Sequence, residues 1–235
     1  MLEVHDASQE DPILRRLAAL ILTTAALTAC GQSEGPSDPL QVAETLEAAK
    51  PAHSPAQNAA LPGEITPGGT FTEGDTTLKF QVNGRDVQLD RLRSAVFEMT
   101  TDDQGAEVRG PGLRAGDGAT NAVADRFGRL LVVDTRGGEF IAFSINPLIM
   151  RQRYPVPGAP YGIAYDAKRD IAWITLTERN EVVGLDIAGG EPTEKHRFPT
   201  VRQPNTVSVD QETGRVTVTS GDNGGIQVIS PWTKG

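Results

Sequence analysis

This sequence predicts an all-β chain built from copies of one four-stranded sheet, and three observations lead there. Short runs rich in Val, Ile, Tyr and Trp alternate with polar turns through most of residues 77–230, the pattern of strands in an antiparallel meander. The runs also recur in phase. Ala119–Asp125 (ATNAVAD), Pro160–Asp166 (PYGIAYD) and Pro204–Asp210 (PNTVSVD) each end in an aspartate, with offsets of 41 and then 44 residues. Finally, each copy has room for four strands, and a period of about 40–45 residues with four strands is the mark of propeller blades.

Taken in order, the chain begins with a leader. Arg15 and Arg16 precede an apolar stretch, Leu17–Ala29, too short to span a bilayer and flanked like a secretory signal. It ends in Leu27-Thr28-Ala29-Cys30, which resembles a bacterial lipobox, so residues 1–29 are expected to be a signal peptide and Cys30 to carry lipid. Cleavage there would leave 206 of 235 residues and move the formal charge from −9 to −7, because four acids and two arginines go with the leader. Cys30 is the sole cysteine, so disulfides contribute nothing. Residues 30–61 carry no sustained strand pattern and read as a solvated, flexible tether. Val42, Leu46 and Ala49 allow a helical turn or two within it.

The propeller domain is expected over 62–235. Gly63–Phe71 is a strand without a unit of its own, placed to complete the last sheet. The first and faintest blade (about 76–117) has strands at Thr77–Val82, Asp86–Leu89, Ala95–Thr100 and Ala106–Arg109. Its Asn83-Gly84 pair is a strong hairpin signal, because both turn positions need positive φ. The second (118–158), third (159–202) and fourth (203–230) blades repeat one plan. A strand ends at Asp125, Asp166 or Asp210; then come Leu130–Thr135, Ile171–Thr177 or Val216–Ser220. A further turn leads to Phe140–Ile145, Val182–Ile187 or Ile226–Ser230. Outer strands follow at Ile149–Tyr154 and Lys195–Phe198. Closure through 63–71 gives a ring of about four blades; a larger ring from two chains is the alternative, and monomer or dimer stays open.

The clear copies resemble the YVTN-type, lactonase-like β-propeller repeat of bacterial surface and periplasmic proteins. The resemblance rests on Gly158, Pro160, Gly162, Ile163 and Ala164, the Asp166 turn, and the run Ile171–Thr177, Asn180, Val183, Asp186. It covers roughly residues 118–230. It implies blades, and members of the group include both enzymes and non-enzymes, so it implies no particular chemistry.

A charge of −9 argues against a nucleic-acid partner, which needs a basic stripe. His5, His53 and His196 fall in leader, tether and outer strand, so no zinc site is expected. Ser208, Ser220 and Ser230 lack a nucleophile-elbow sequence. Gly137-Gly138 and Gly189-Gly190 precede no helix and so cradle no phosphate. Asp125, Asp166 and Asp210 share one phase in the repeat, where aspartate caps turn amides. The remaining candidates are the loops at one end of the channel: Arg114, Asp117, Thr120, Arg136, Tyr161, Glu178, Arg179, Asn205, Asp222 and Asn223. They mix signs and suit a small polar ligand or an envelope protein. No catalytic residue, cofactor or metal is expected, since the inner positions Leu78, Ala122, Ile163 and Val207 are apolar or small. The reading is a lipid-anchored module, exported across the cytoplasmic membrane, that binds or scaffolds rather than catalyses. Its rival is a lactonase-like or lyase-type enzyme with a channel metal, for which Asp117 and Asn205 are the candidate ligands.

Overall fold

The structure, a computed structural model, describes residues 46–232; Cys30, the leader and the first part of the expected tether lie outside them. The described residues contain sixteen strands and no helix; of the stretch where Val42, Leu46 and Ala49 allow a helical turn, residues 46–50 are not helical and the rest lies outside the described residues. The strands make four four-stranded antiparallel sheets, the blades of a propeller. The first strand in the chain, β1 (Glu64–Thr66), belongs to the last blade. Blade 1 holds β2 (Thr77–Val82), β3 (Arg85–Asp90), β4 (Ala95–Thr101) and β5 (Glu107–Arg114). Blade 2 holds β6 (Ala119–Ala124), β7 (Arg129–Asp134), β8 (Glu139–Ser144) and β9 (Ile149–Pro155). Blade 3 holds β10 (Pro160–Asp166), β11 (Ile171–Leu176), β12 (Glu181–Asp186) and β13 (Thr193–Pro199). Blade 4 holds β14 (Pro204–Val209), β15 (Val216–Ser220) and β16 (Ile226–Ile229), and β1 pairs with β16 as its outer strand.

Local chemistry sets the turns. Asn83 and Gly84 have φ of 50° and 72°, as a two-residue hairpin with right-handed strand twist requires. Asp125 Oδ1 accepts the amides of Phe127 (2.9 Å) and Arg129 (2.8 Å), and Asp210 Oδ1 accepts that of Thr213 (2.6 Å). The repeated aspartates therefore cap turns. The outer strand of blade 1 runs five residues beyond its expected end, to Arg114. Gly110-Pro111-Gly112 looks like a turn in sequence, yet Phe97 pairs with Gly112 and Val96 with Leu113. An outermost strand tolerates proline because its outward N–H has no ladder partner.

Three cores join the four blades. In β7, Leu130 and Val132 enter the core shared with blade 1, while Leu131 and Val133 enter the one shared with blade 3. A continuous apolar run is thereby buried on both faces, as strand side chains alternate. Trp173, Val182, Val207 and Val218 fill the core between blades 3 and 4. Among the described residues no hydrophobic cluster joins blade 4 to blade 1.

Residues 46–61, expected as free tether, lie instead, with Pro62, as a strap across the loop face. Ala49 and Ser54 are buried, and Leu61 packs on the core between blades 3 and 4. The amide of Ala52 donates to Thr177 Oγ1 (3.0 Å) and that of Ser54 to Gln203 Oε1 (3.1 Å). Asn180 Nδ2 donates to the Pro55 carbonyl (3.0 Å) and Gln227 Nε2 to that of Pro62 (2.8 Å). Side-chain amides and the Thr177 hydroxyl satisfy the strap's backbone, which is why it stays down without strand pairing.

Candidate functional site

The inner strands of blades 2, 3 and 4 share a defect. Each carries one extra residue against its neighbour, between Ala119 and Asn121, Pro160 and Ile163, and Pro204 and Thr206. Such bulges re-aim side chains and are over-represented beside functional sites. Blade 1 has none: β2 pairs with β3 without a break from Thr77 to Val82. The three bulges meet at the mouth of the channel. There they line a concavity of about 130 Å³ with Asn121 and Ala122 of β6, Tyr161–Ile163 of β10 and Asn205–Val207 of β14.

Phe71 covers the concavity from the segment that crosses from blade 4 to blade 1. Its ring meets Tyr161 edge-on, with centroids 5.7 Å apart. The crossing segment is tied to blade 4, where the Asn223 amide donates to the Gly69 carbonyl (2.8 Å). Asn121 Nδ2 donates to the Tyr161 carbonyl (2.9 Å), joining two bulges. At Gly162 a Cβ would come within 2.9 Å of the Asn205 carbonyl oxygen, so any side chain there would push the two inner strands apart. Burial raises the Tyr161 phenol above its ordinary pKa, against the opposing pull of the Arg91 guanidinium. It remains a hydrogen-bond donor through neutral pH. A second, larger groove of about 680 Å³ runs along Asp75–Phe80 opposite Ala122.

The ten loop candidates fall into distinct places. Tyr161 and Asn205 line the concavity. Thr120 lies buried behind it, its hydroxyl 2.7 Å from that of Thr135, which donates to the Pro160 carbonyl (2.6 Å). Arg114, Asp117 and Arg136 form a rim group on blade 2: Arg114 pairs with Asp117 at 3.6 Å, and Arg136 donates to the Asp117 carbonyl (3.2 Å) and to that of Glu47 in the strap (2.9 Å). Asp222 pairs with Arg202 and bridges Thr70, and Asn223 tethers the crossing segment. Glu178 and Arg179 are exposed on the rim of blade 3. Four of the ten residues expected to meet a ligand, Arg136, Tyr161, Asp222 and Asn223, thus meet the protein's own N-terminal segments. Phe71, Asn121, Gly162 and Thr206 were missed, although the third residue of each repeat (Asn121, Gly162, Thr206) interrupts the apolar alternation at the bulge.

Among the described residues, no three His, Cys, Asp or Glu side chains converge to hold a metal. The concavity is lined by amide, hydroxyl and aliphatic groups, which do not fit the channel metal of the rival reading; Asp117 is on the rim, its side chain 80% exposed. His53 is exposed in the strap, and His196 stacks on Trp173 at 5.3 Å.

No protein-family description and no curated protein matches this sequence. Solved structures match it at the level of fold. A protein from Bacteroides uniformis ATCC 8492, provisionally assigned as a 6-phosphogluconolactonase, superposes with a TM-score of 0.56 at 15% identity, covering 69% of this chain and 50% of its own. One so assigned from Bacteroides fragilis NCTC 9343 gives 0.55 at 14%, covering 69% and 54%. A streptogramin B lyase gives 0.50 at 13%, covering 73% and 57%. This chain spans about half the length of these structures. Their names correct the expectation of a non-catalytic module: propellers of this build are used by enzymes, so the fold does not argue against catalysis. What the likeness establishes for this chain is the β-propeller fold.

Proposed function

We propose that this chain is a YVTN-type, lactonase-like propeller lipoprotein, held to a cell-envelope membrane through lipid on Cys30, whose channel mouth takes a small polar ligand. The observation that carries the binding role is the triple bulge, which brings Asn121, Tyr161 and Asn205 around one concavity. At about 130 Å³ the concavity is well below the roughly 300–1,000 Å³ of drug-sized pockets. It suits the polar head of a ligand, with the rest lying against Phe71 or along the rim arginines. The lyase and lactonase names among the fold neighbours favour a second reading, in which the bound ligand undergoes elimination or ring opening at the same mouth.

A thermal-shift screen of polar metabolites and lactones tests the reading. Stabilising ligands should lose their effect in Asn121→Ala and Asn205→Ala. Ligands whose effect survives both substitutions bind elsewhere and contradict it. Following each hit by NMR reads turnover directly: product would establish the second reading, and an unchanged ligand would leave binding alone. The anchor is tested separately. Labelled palmitate should enter the wild-type chain and not Cys30→Ser; equal labelling of both would remove the lipid from the account.

A further inference from the structure

Arg91, one residue beyond β3, is the only arginine or lysine among the described residues that is fully buried, at 3% exposure. Its surroundings are unusual for a buried cation. The adjacent carboxylate, Asp90, is taken by Arg93 (3.1 Å) and Arg109 (2.8 Å), and no carboxylate among the described residues pairs with Arg91. Instead Nη1 donates to the carbonyls of Gly74 (3.3 Å) and Asp75 (3.2 Å). Nη2 donates to the Ala49 carbonyl (3.4 Å) and the Tyr161 hydroxyl (3.3 Å). Nε, also buried, has no partner.

Buried charges are ordinarily paired, and charge-assisted bonds run at about 2.7–2.9 Å. All four contacts here are longer, and all are to neutral groups. Only Nε–H has no acceptor; with Nη2, whose two acceptors stand at 3.3 and 3.4 Å, it forms the edge whose two parallel N–H groups match the two oxygens of a carboxylate. The one side chain that accepts from Arg91, Tyr161, also lines the mouth concavity.

We propose that the Nε–Nη2 edge of Arg91, together with the Tyr161 hydroxyl, is the receptor for the carboxylate of a ligand whose polar body occupies the concavity. This rests on the mouth being a ligand site, and adds the ligand's class: a small carboxylic acid. A carboxylate fits better than a phosphate because one guanidinium balances one negative charge. The carbonyls of Ala49, Gly74 and Asp75, and the Glu73 carboxylate whose charge reaches the Tyr161 hydroxyl, would repel a second. Docking displaces the Ala49 carbonyl from Nη2, so binding loosens the strap where it crosses blade 1.

The test is an NMR titration of the full chain, following the arginine Nε–H resonance that disappears in Arg91→Lys. Sodium acetate should shift it saturably at constant ionic strength, while sodium chloride leaves it in place. Tyr161→Phe should weaken the acetate response by about three- to tenfold, the worth of one hydrogen bond. A linear drift shared by acetate and chloride overturns the proposal. So does saturation by inorganic phosphate at lower concentration than acetate, which makes the site a general anion site. The wild-type titration needs no variant to fold, since an Overhauser effect from the Tyr161 ring identifies the same resonance. Failure here with Asn121-dependent ligand binding intact removes only the carboxylate receptor; loss of both removes the mouth as a site.

Discussion

Blade 2 and blade 4 are the same four-stranded sheet buried in different ways. In β7 of blade 2 the four residues Leu130–Val133 are all fully buried, two in each of two cores. Its counterpart in blade 4, β15, sends Val216 and Val218 into the core shared with blade 3 and turns Thr217 and Thr219 outward, half-buried. Blade 1 is the mirror case. Val87 and Leu89 face blade 2, whereas Asp86 is exposed and Arg109 folds back over the other face, bonding Gln88 (3.0 Å) and lying 4.7 Å above the Phe97 ring. A sheet inside the array is apolar on both faces, and a sheet at either end on one. Terminal units with a polar outer face are how repeat arrays end without exposing a core.

That contrast can be broken deliberately. The largest effect should come from blade 3: Ile174→Ala empties a fully buried site in a two-sided core and should cost about 2–5 kcal/mol by urea unfolding. Next comes the strap. Gln203→Ala removes the acceptor of the Ser54 amide and the donor to the Ala52 carbonyl (2.8 Å), which should cost about 1–3 kcal/mol. A smaller, pH-dependent effect should follow Asp170→Asn. Asp170 of blade 3 accepts from Arg126 of blade 2 and from Tyr165 (2.6 Å each), and the Arg126 bond holds its carboxyl below the usual range. A lowered carboxylate stabilises the fold above the ordinary aspartate pKa of about 3.9, and that contribution is lost as pH falls through the lowered folded value. Wild type should exceed the variant by a constant margin above about pH 5, and the two should converge in acid. Thr217→Ala on the outer face of blade 4 should change stability by less than about 0.5 kcal/mol. A cost there as large as at Ile174 would mean that the face is covered.

The interior blades were legible because a strand buried on both faces leaves a continuous apolar run, as at Leu130–Val133 and Ile171–Leu176. The turns of blades 2, 3 and 4 were legible because Asp125, Asp166 and Asp210 bind backbone amides at one fixed phase. The strap was not. It is held by Thr177, Asn180, Gln203 and Gln227 reaching from distant blades, and such bonds impose no period on 46–62 itself. Phe71 escaped for the same reason, since it acts from an irregular crossing whose path only the assembled blades define. Tyr161 and Asn205 were found through their place after the outer strand of the preceding blade. Asn121 was passed over because the bulge that re-aims it is a property of pairing between strands.

Amide hydrogen exchange across residues 48–62 tests most directly whether the strap is held down on the loop face of blades 3 and 4. The Ala52 and Ser54 amides, which donate to Thr177 and Gln203, should be protected by orders of magnitude in wild type and lose that protection in Gln203→Ala while β11 keeps its own. Exchange of 48–62 at the rate of an unstructured peptide in the wild-type protein would contradict the account and return that segment to a free tether.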